Sequence, residues 1–142
     1  MRSSPKAGDQ FVFSFRVTDA KTVPALYPES EMFRAMPAVF ATGFMVGLME
    51  WACIEALAPH LDEGEGSLGI AINVDHTAPT LPGQVVTVTV TCDVADNNRF
   101  GWTVVARDEV DQIGQGRHDR AVVRWDGFNR RLDKKRQALS GL

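Results

Sequence analysis

Between Ala41 and Leu61 the chain reads ATGFMVGLMEWACIEALAPHL, a helical stretch that is apolar on nearly every side. Phe44, Met45, Val46, Leu48, Met49, Trp51, Ala52, Cys53 and Ile54 leave no polar stripe, so this pattern predicts a helix enclosed by protein on most sides. Thr42 can cap that helix or lie in its first turn, and Pro59 stops it at about Ala58. About 18 residues of helix rise about 27 Å, enough to run along the middle of a small sheet. One residue breaks the pattern: Glu50, between Met49 and Trp51. A lone ionised carboxylate in apolar surroundings is costly, so it must be paired, hydrogen-bonded or protonated.

The rest of the chain reads as strand and turn. Gln10 to Val17 places Phe11, Phe13, Phe15 and Val17 at alternate positions, the signature of a first strand. From Thr22 to Val39, Pro24, Pro28 and Pro37 punctuate a long connection with a helix-compatible patch at Glu31 to Met36. A connection of that length in a compact domain is expected to be a lid or a binding loop. After Asp62-Glu63-Gly64-Glu65-Gly66 come four strand-like runs, Ser67 to His76, Gln84 to Val94, Arg99 to Asp108 and Gln112 to Trp125. Val86-Thr87-Val88-Thr89-Val90-Thr91 is the cleanest alternation of all. Asn129 to Leu142 is a basic, helix-compatible tail expected to be solvated. One strand, a lid, one apolar helix and four strands on short turns predict an α+β fold, an antiparallel sheet wrapped around a long central helix. This is the hot-dog arrangement, and 142 residues suit a single domain over 1–142.

A formal net charge of −3 offers no general field for a phosphate backbone, which argues against a nucleic-acid partner. No apolar h-region follows Met1-Arg2-Ser3-Ser4-Pro5-Lys6, and no apolar run approaches the ~20 residues of a membrane span. A cytoplasmic protein with no membrane partner is therefore expected. Cys53 and Cys92 lack C-x-x-C or metal-type spacing and read as two reduced core thiols.

Gly64-Glu65-Gly66-Ser67-Leu68-Gly69 matches G-x-G-x-x-G letter for letter. A dinucleotide fingerprint must follow a strand and open a helix, whereas here a helix precedes and a strand follows, so nucleotide binding is excluded. Three polar residues remain in apolar or strand surroundings: Thr42, Glu50 and His76. Thr42 precedes Glu50 by eight positions, so the two lie about 80° apart around the helix and can edge one cleft. His76 ends the run Ile70 to His76 beside a loop, where a group titrating near neutrality suits acid–base work and makes a partner for Glu50 or Thr42. Taken singly, each has a structural explanation, as a cap, a satisfied acid or a turn residue. His60, His76 and His118 are scattered without ligand spacing, so no metal site is expected. Strand alternation places Gly114, Gly116, His118, Arg120 and Val122 on one face. The two glycines leave room for a ligand or a packed helix, and Arg120 beside them can meet an anion or pair with an acid.

Leu26-Tyr27-Pro28-Glu29-Ser30, the run Val39 to Cys53, Gly64 to Gly69, His76-Thr77-Ala78, Val85 to Val90 and Asp111-Gln112-Ile113-Gly114 together resemble the fluoroacetyl-CoA thioesterases, hot-dog enzymes. The likeness runs from about Gly8 to Phe128. It implies a homodimer that hydrolyses a short acyl-CoA thioester, fluoroacetyl-CoA above all, as a detoxification, with no cofactor because coenzyme A is part of the substrate. By the same resemblance Thr42, Glu50 and His76 fall on catalytic positions and Gly69 and Arg120 on substrate-recognition positions. The loop around Phe33 falls on the family's lid, which carries two phenylalanines, but Met36 stands here at the second place. Methionine is flexible and fills space adaptably, which keeps an apolar lid while changing its shape discrimination.

Two routes fit these residues. In one, Glu50 attacks the thioester carbonyl or orients a water while Thr42 and backbone N–H groups steady the oxyanion and His76 moves protons. In the other, His76 removes an α-proton that fluorine has made more acidic. A thioesterase for another small acyl group is the near alternative; an acyl-CoA-binding or dehydratase-like hot-dog protein is the distant one.

Overall fold

The computed structural model describes residues 1–142. Its sheet follows from side-chain alternation: in β3 (Val85–Asp96), Val86, Val88, Val90 and Cys92 turn inward and are buried, while the intervening threonines face the other way. β1 (Gln10–Arg16), β2 (Glu65–Val74), β3, β4 (Arg99–Arg107) and β5 (Gln112–Arg124) form one five-stranded sheet in the order β1-β3-β4-β5-β2. Every neighbouring pair is antiparallel. β2 is thus an edge strand, and its register on β5 slips between Gly69 and Ala71, leaving Ile70 as a bulge.

The long connection carries α1 (Val23–Leu26) and α2 (Glu31–Arg34), the latter capped by the Ser30 hydroxyl, which accepts from the Phe33 N–H at 3.2 Å. α3 (Thr42–Leu57) then packs across one face of the sheet, and a 3-10 turn at Ala58–His60 ends it at Pro59. Met45, Leu48, Met49, Ala52, Cys53 and Leu57 are buried against a cluster that includes Val88, Val104, Trp102 and Phe100. Burying each of the four large side chains contributes about 1.5–3 kcal/mol. That outweighs the ~1 kcal/mol that each of Gly43 and Gly47 costs a helix interior. Enclosure on most sides does not hold for the single chain: Trp51 and Ile54 are 43% and 42% exposed. A five-stranded sheet curves around only one side of a helix, and β1 covers part of another through Phe13, whose ring lies 4.6 Å from Trp51.

Of the two places open to Thr42, cap or first turn, it takes the second: it is the first helical residue, and Ala41 holds the cap position without any side-chain bond. Two boundaries that bear on the site and the tail differ from the sequence reading. β2 ends at Val74, so His76 stands in the following loop, where Thr77 N–H is held by the Ile113 carbonyl at 2.7 Å. The basic tail forms α4 (Trp125–Ser140), which starts before Asn129 because β5 stops at Arg124 and the Trp125 ring packs over the bare Cα of Gly66. None of the α4 residues is buried, as a solvated tail requires.

Candidate active site

Two polar clusters stand at different heights along α3. At its start, the Thr42 hydroxyl and His76 Nδ1 lie 2.7 Å apart in a cleft of about 290 Å³ walled by Val23, Val39, Phe40 and Pro79. His76 Nε2 is buried and has no hydrogen-bond partner in the chain. Burial pulls the His76 pKa below the usual histidine range, with Ala78 and Asp75 opposing, so the neutral imidazole dominates near neutrality. Ala41 supplies no side-chain cap, so the first backbone N–H groups of α3 remain as donors beside Thr42.

The second cluster answers for Glu50. Its Oε1 lies 3.6 Å from Arg120 Nη1 and 4.0 Å from His118 Nε2, and its side chain is 40% exposed rather than sealed in the core. Arg120 is buried: Nε donates to the Ser67 hydroxyl at 2.8 Å, Nη2 to the Ser67 carbonyl at 2.9 Å, and Nη1 lies 3.1 Å from His118 Nε2. Burial lowers the guanidinium pKa and Glu50 opposes that shift. Gly69, paired with Arg120 across the β2–β5 ladder, completes the cluster. A Cβ there would stand 2.5 Å from Glu50 Oε1 and 3.5 Å from Arg120 Nη1, so the missing side chain is what leaves Glu50 its place.

The structure therefore brings Glu50, Arg120 and Gly69 together, and Thr42 with His76, but not one set with the other inside a single chain. Glu50 lies eight positions along the helix from Thr42, about 12 Å of rise. Of the two partners open to His76, Glu50 or Thr42, the single chain supplies Thr42. Of the two readings open at Gly114 and Gly116, the packed helix holds at the first, where Met45 of α3 and the Asp75 carbonyl fill the space, and the Asn73 carbonyl fills it at the second. Phe33 stacks on Tyr27 with ring centres 5.6 Å apart, and Met36, 45% exposed, follows α2; neither lines the Thr42–His76 cleft. Cys53 and Cys92 are both buried and unpaired, and burial pushes the Cys53 thiol up to about 12, which removes it as a nucleophile. No cluster of metal-ligating side chains is present.

The family model described as fluoroacetyl-CoA-specific thioesterase matches residues 10–126. Fluoroacetyl-CoA thioesterase of Streptantibioticus cattleyicolor is 51% identical over 138 residues, covering 97% of this chain and 99% of that protein. The chain belongs to the fluoroacetyl-CoA-specific thioesterase family. A solved structure of the fluoroacetyl-CoA thioesterase FlK superposes with a TM-score of 0.91 at 52% identity, over 94% of this chain and 98% of that one. A Thermus thermophilus member of the thioesterase superfamily follows at 0.82 and 33%, over 97% and 99% of the two chains. A hot-dog-like protein of Thermanaerovibrio acidaminovorans follows at 0.77 and 26%, over 91% of each. The hot-dog fold expected from the order of elements is the fold observed.

Two residues of this thioesterase's second cluster escape a reading of the sequence alone. Ser67 looks like any strand serine, and only the antiparallel register of β2 on β5 places it beside Arg120. His118 has no ligand spacing in the sequence, and its place two residues before Arg120 on the same face of its strand is the available signal, because such residues share neighbours.

Proposed function

We propose that this chain hydrolyses fluoroacetyl-CoA to fluoroacetate and free CoA, and so removes a toxic acyl group before it enters metabolism. Water adds across the thioester: its oxygen ends on the acyl carbon, and the sulfur leaves to carry a proton as the CoA thiol. The observation that carries this reading is Glu50 held on an apolar helix by Arg120 and seated over Gly69, in a chain of this family. Glu50 acts on the thioester carbonyl, as nucleophile or through an oriented water, and Arg120 and Gly69 shape the pocket for the fluoroacyl group. Thr42 and the open N–H groups at the start of α3 steady the oxyanion. His76, neutral and hydrogen-bonded to Thr42, moves the proton, with Nε2 as its free nitrogen. The same nitrogen suits removal of an α-proton from the fluorinated acyl group.

The working unit is a homodimer. β2 offers an open edge with Ile70 and Ile72 47% and 43% exposed, the situation in which a second copy adds its own β2. Two-fold pairing of that edge reverses α3, so the Thr42–His76 end of one helix runs beside the Glu50 segment of the other. Phe33 and Met36 form the lid over the completed site. No helix is long and apolar enough to cross a membrane, and two unpaired thiols suit a reducing compartment, so the cytoplasm is the proposed location.

The deciding experiment follows free thiol release from fluoroacetyl-CoA and acetyl-CoA side by side. Strong preference for the fluorinated ester, expressed substantially in kcat, is expected, because exchanging one fluorine for hydrogen changes binding only modestly. Comparable turnover of both favours a second reading, a thioesterase for another small acyl-CoA, which the exposed Met36 in the lid supports. No thiol from either would overturn the proposed hydrolysis of fluoroacetyl-CoA and revive the acyl-CoA-binding reading.

A further inference from the structure

His118 takes no part in the chemistry above, yet it is 1% exposed and is one of the few buried polar side chains. Its two ring nitrogens have unlike neighbours. Nδ1 lies 2.8 Å from the Ala71 carbonyl, which can only accept, so Nδ1 carries the hydrogen. Nε2 lies 3.1 Å from Arg120 Nη1, which can only donate, so Nε2 presents its lone pair. The two contacts together fix one neutral tautomer.

Seen from Arg120, the consequence is geometric. A guanidinium has five N–H groups in a rigid plane, and here three are committed: one to the Ser67 hydroxyl, one to the Ser67 carbonyl and one to His118. Ser67 holds the Nε and Nη2 side alone. His118 is the acceptor on the Nη1 side, the side that faces Glu50 at 3.6 Å. His118 also meets the space left by Gly69, where an added Cβ would stand 3.2 Å from its Cε1. Without an acceptor there, the plane can turn about the Ser67 contacts and carry Nη1 away from Glu50.

We propose that His118 is a positioning residue for thioester hydrolysis, its Nε2 lone pair anchoring Arg120 so that the guanidinium keeps Glu50 and the acyl pocket in register. The Ala71 carbonyl, supplied by the strand just after the β2 bulge, sets the tautomer that makes this possible. The role rests on the proposed use of Glu50 and Arg120. Burial also lowers the His118 pKa, with the Ala71 contact opposing and Arg120 adding to the fall, which agrees with a ring kept neutral.

The test compares His118→Leu, which keeps the bulk and removes the acceptor, with His118→Gln, whose amide oxygen restores it. With fluoroacetyl-CoA, the leucine variant is expected to lose about 10- to 100-fold in kcat/KM, the scale of a small misplacement at a reacting centre. Glutamine should recover most of that loss. In a double-mutant cycle with Arg120→Lys the two losses should overlap rather than add, since His118 acts through Arg120. A leucine variant with unchanged kcat/KM, equal losses for leucine and glutamine, or additive losses with Arg120→Lys would each overturn the proposal. Nitrogen-15 NMR of the wild-type histidines keeps it testable if the leucine variant fails to fold or fluoroacetyl-CoA is not the substrate. His118 protonated on Nδ1 alone at neutral pH is expected; the Nε2–H tautomer would sink the anchor, whereas loss of fluoroacetyl-CoA turnover alone would sink only the substrate.

Discussion

Glu50 tolerates its place on α3 because Arg120 supplies the opposing charge and Gly69 the space. Substituting Gly69 by alanine puts a methyl 2.5 Å from Glu50 Oε1, the far end of a flexible side chain, so the fold can yield while the carboxylate is displaced. Gly69→Ala is therefore expected to melt close to the wild type and to lose about 10- to 100-fold in kcat; an alanine variant of undiminished kcat would mean that Glu50 need not hold its present position. His76 and His118 both bind their protons more weakly folded than unfolded, burial being the larger cause in each. As pH falls through the ordinary histidine value of about 6.5, the unfolded chain takes up protons that the native one refuses, so stability declines until the lowered native values are passed. Melting scans from pH 7.5 to about pH 5 should show that decline, with His118→Gln flattening it; a flat wild-type profile would contradict the burial of both rings. The same neutral His76 predicts an acid limb in kcat/KM below about pH 6.5.

The sheet carries the acid site through one strand pair. β2 and β5 meet at Gly69 and Arg120, and beyond the bulge they meet again at Val74 and Gly116, where the Asn73 carbonyl and Val74 Cα leave no room for a side chain. Both neighbours are backbone, so they cannot swing aside. Gly116→Ala is expected to cost at least about 2 kcal/mol in chemical denaturation, in the range of backbone and packing defects, and a loss below 0.5 kcal/mol would show that the strands can separate without penalty. At this scale much was legible beforehand: the threonine–valine alternation of β3 and the apolar run of α3 gave the elements and the fold. What escaped were relations between strands. Arg120 could be seen to meet an anion or pair with an acid, but not that Glu50 would stand beside it, because that depends on how α3 packs on the sheet. Gly114 and Gly116 could be read as space for a ligand or for a packed helix, because sequence cannot tell a cavity from a close contact.

In the single chain the proposed machinery is divided. About 12 Å of helix rise lies between the Thr42–His76 pair and Glu50, too far for a proton to pass or for one carbonyl carbon to touch both. The open β2 edge and the uncovered side of α3 offer the remedy, since an antiparallel second copy brings opposite ends of the two helices alongside. Complementation distinguishes a site shared between subunits from one contained in each. Glu50→Gln and His76→Ala homodimers should each fall at least ~100-fold in kcat. When the two are unfolded, mixed and refolded together, a shared site gives every heterodimer one centre with both intact residues and one with neither. Activity should then return toward roughly a quarter of wild type, because random pairing makes about half the dimers mixed and each carries half the normal number of sites. If each subunit works alone, every centre in the mixture keeps one lesion, and activity stays at the level of the parents. That second result, obtained with dimers confirmed by sedimentation, would place the whole reaction within one chain and require α3 or the His76 loop to move by most of the separation seen here.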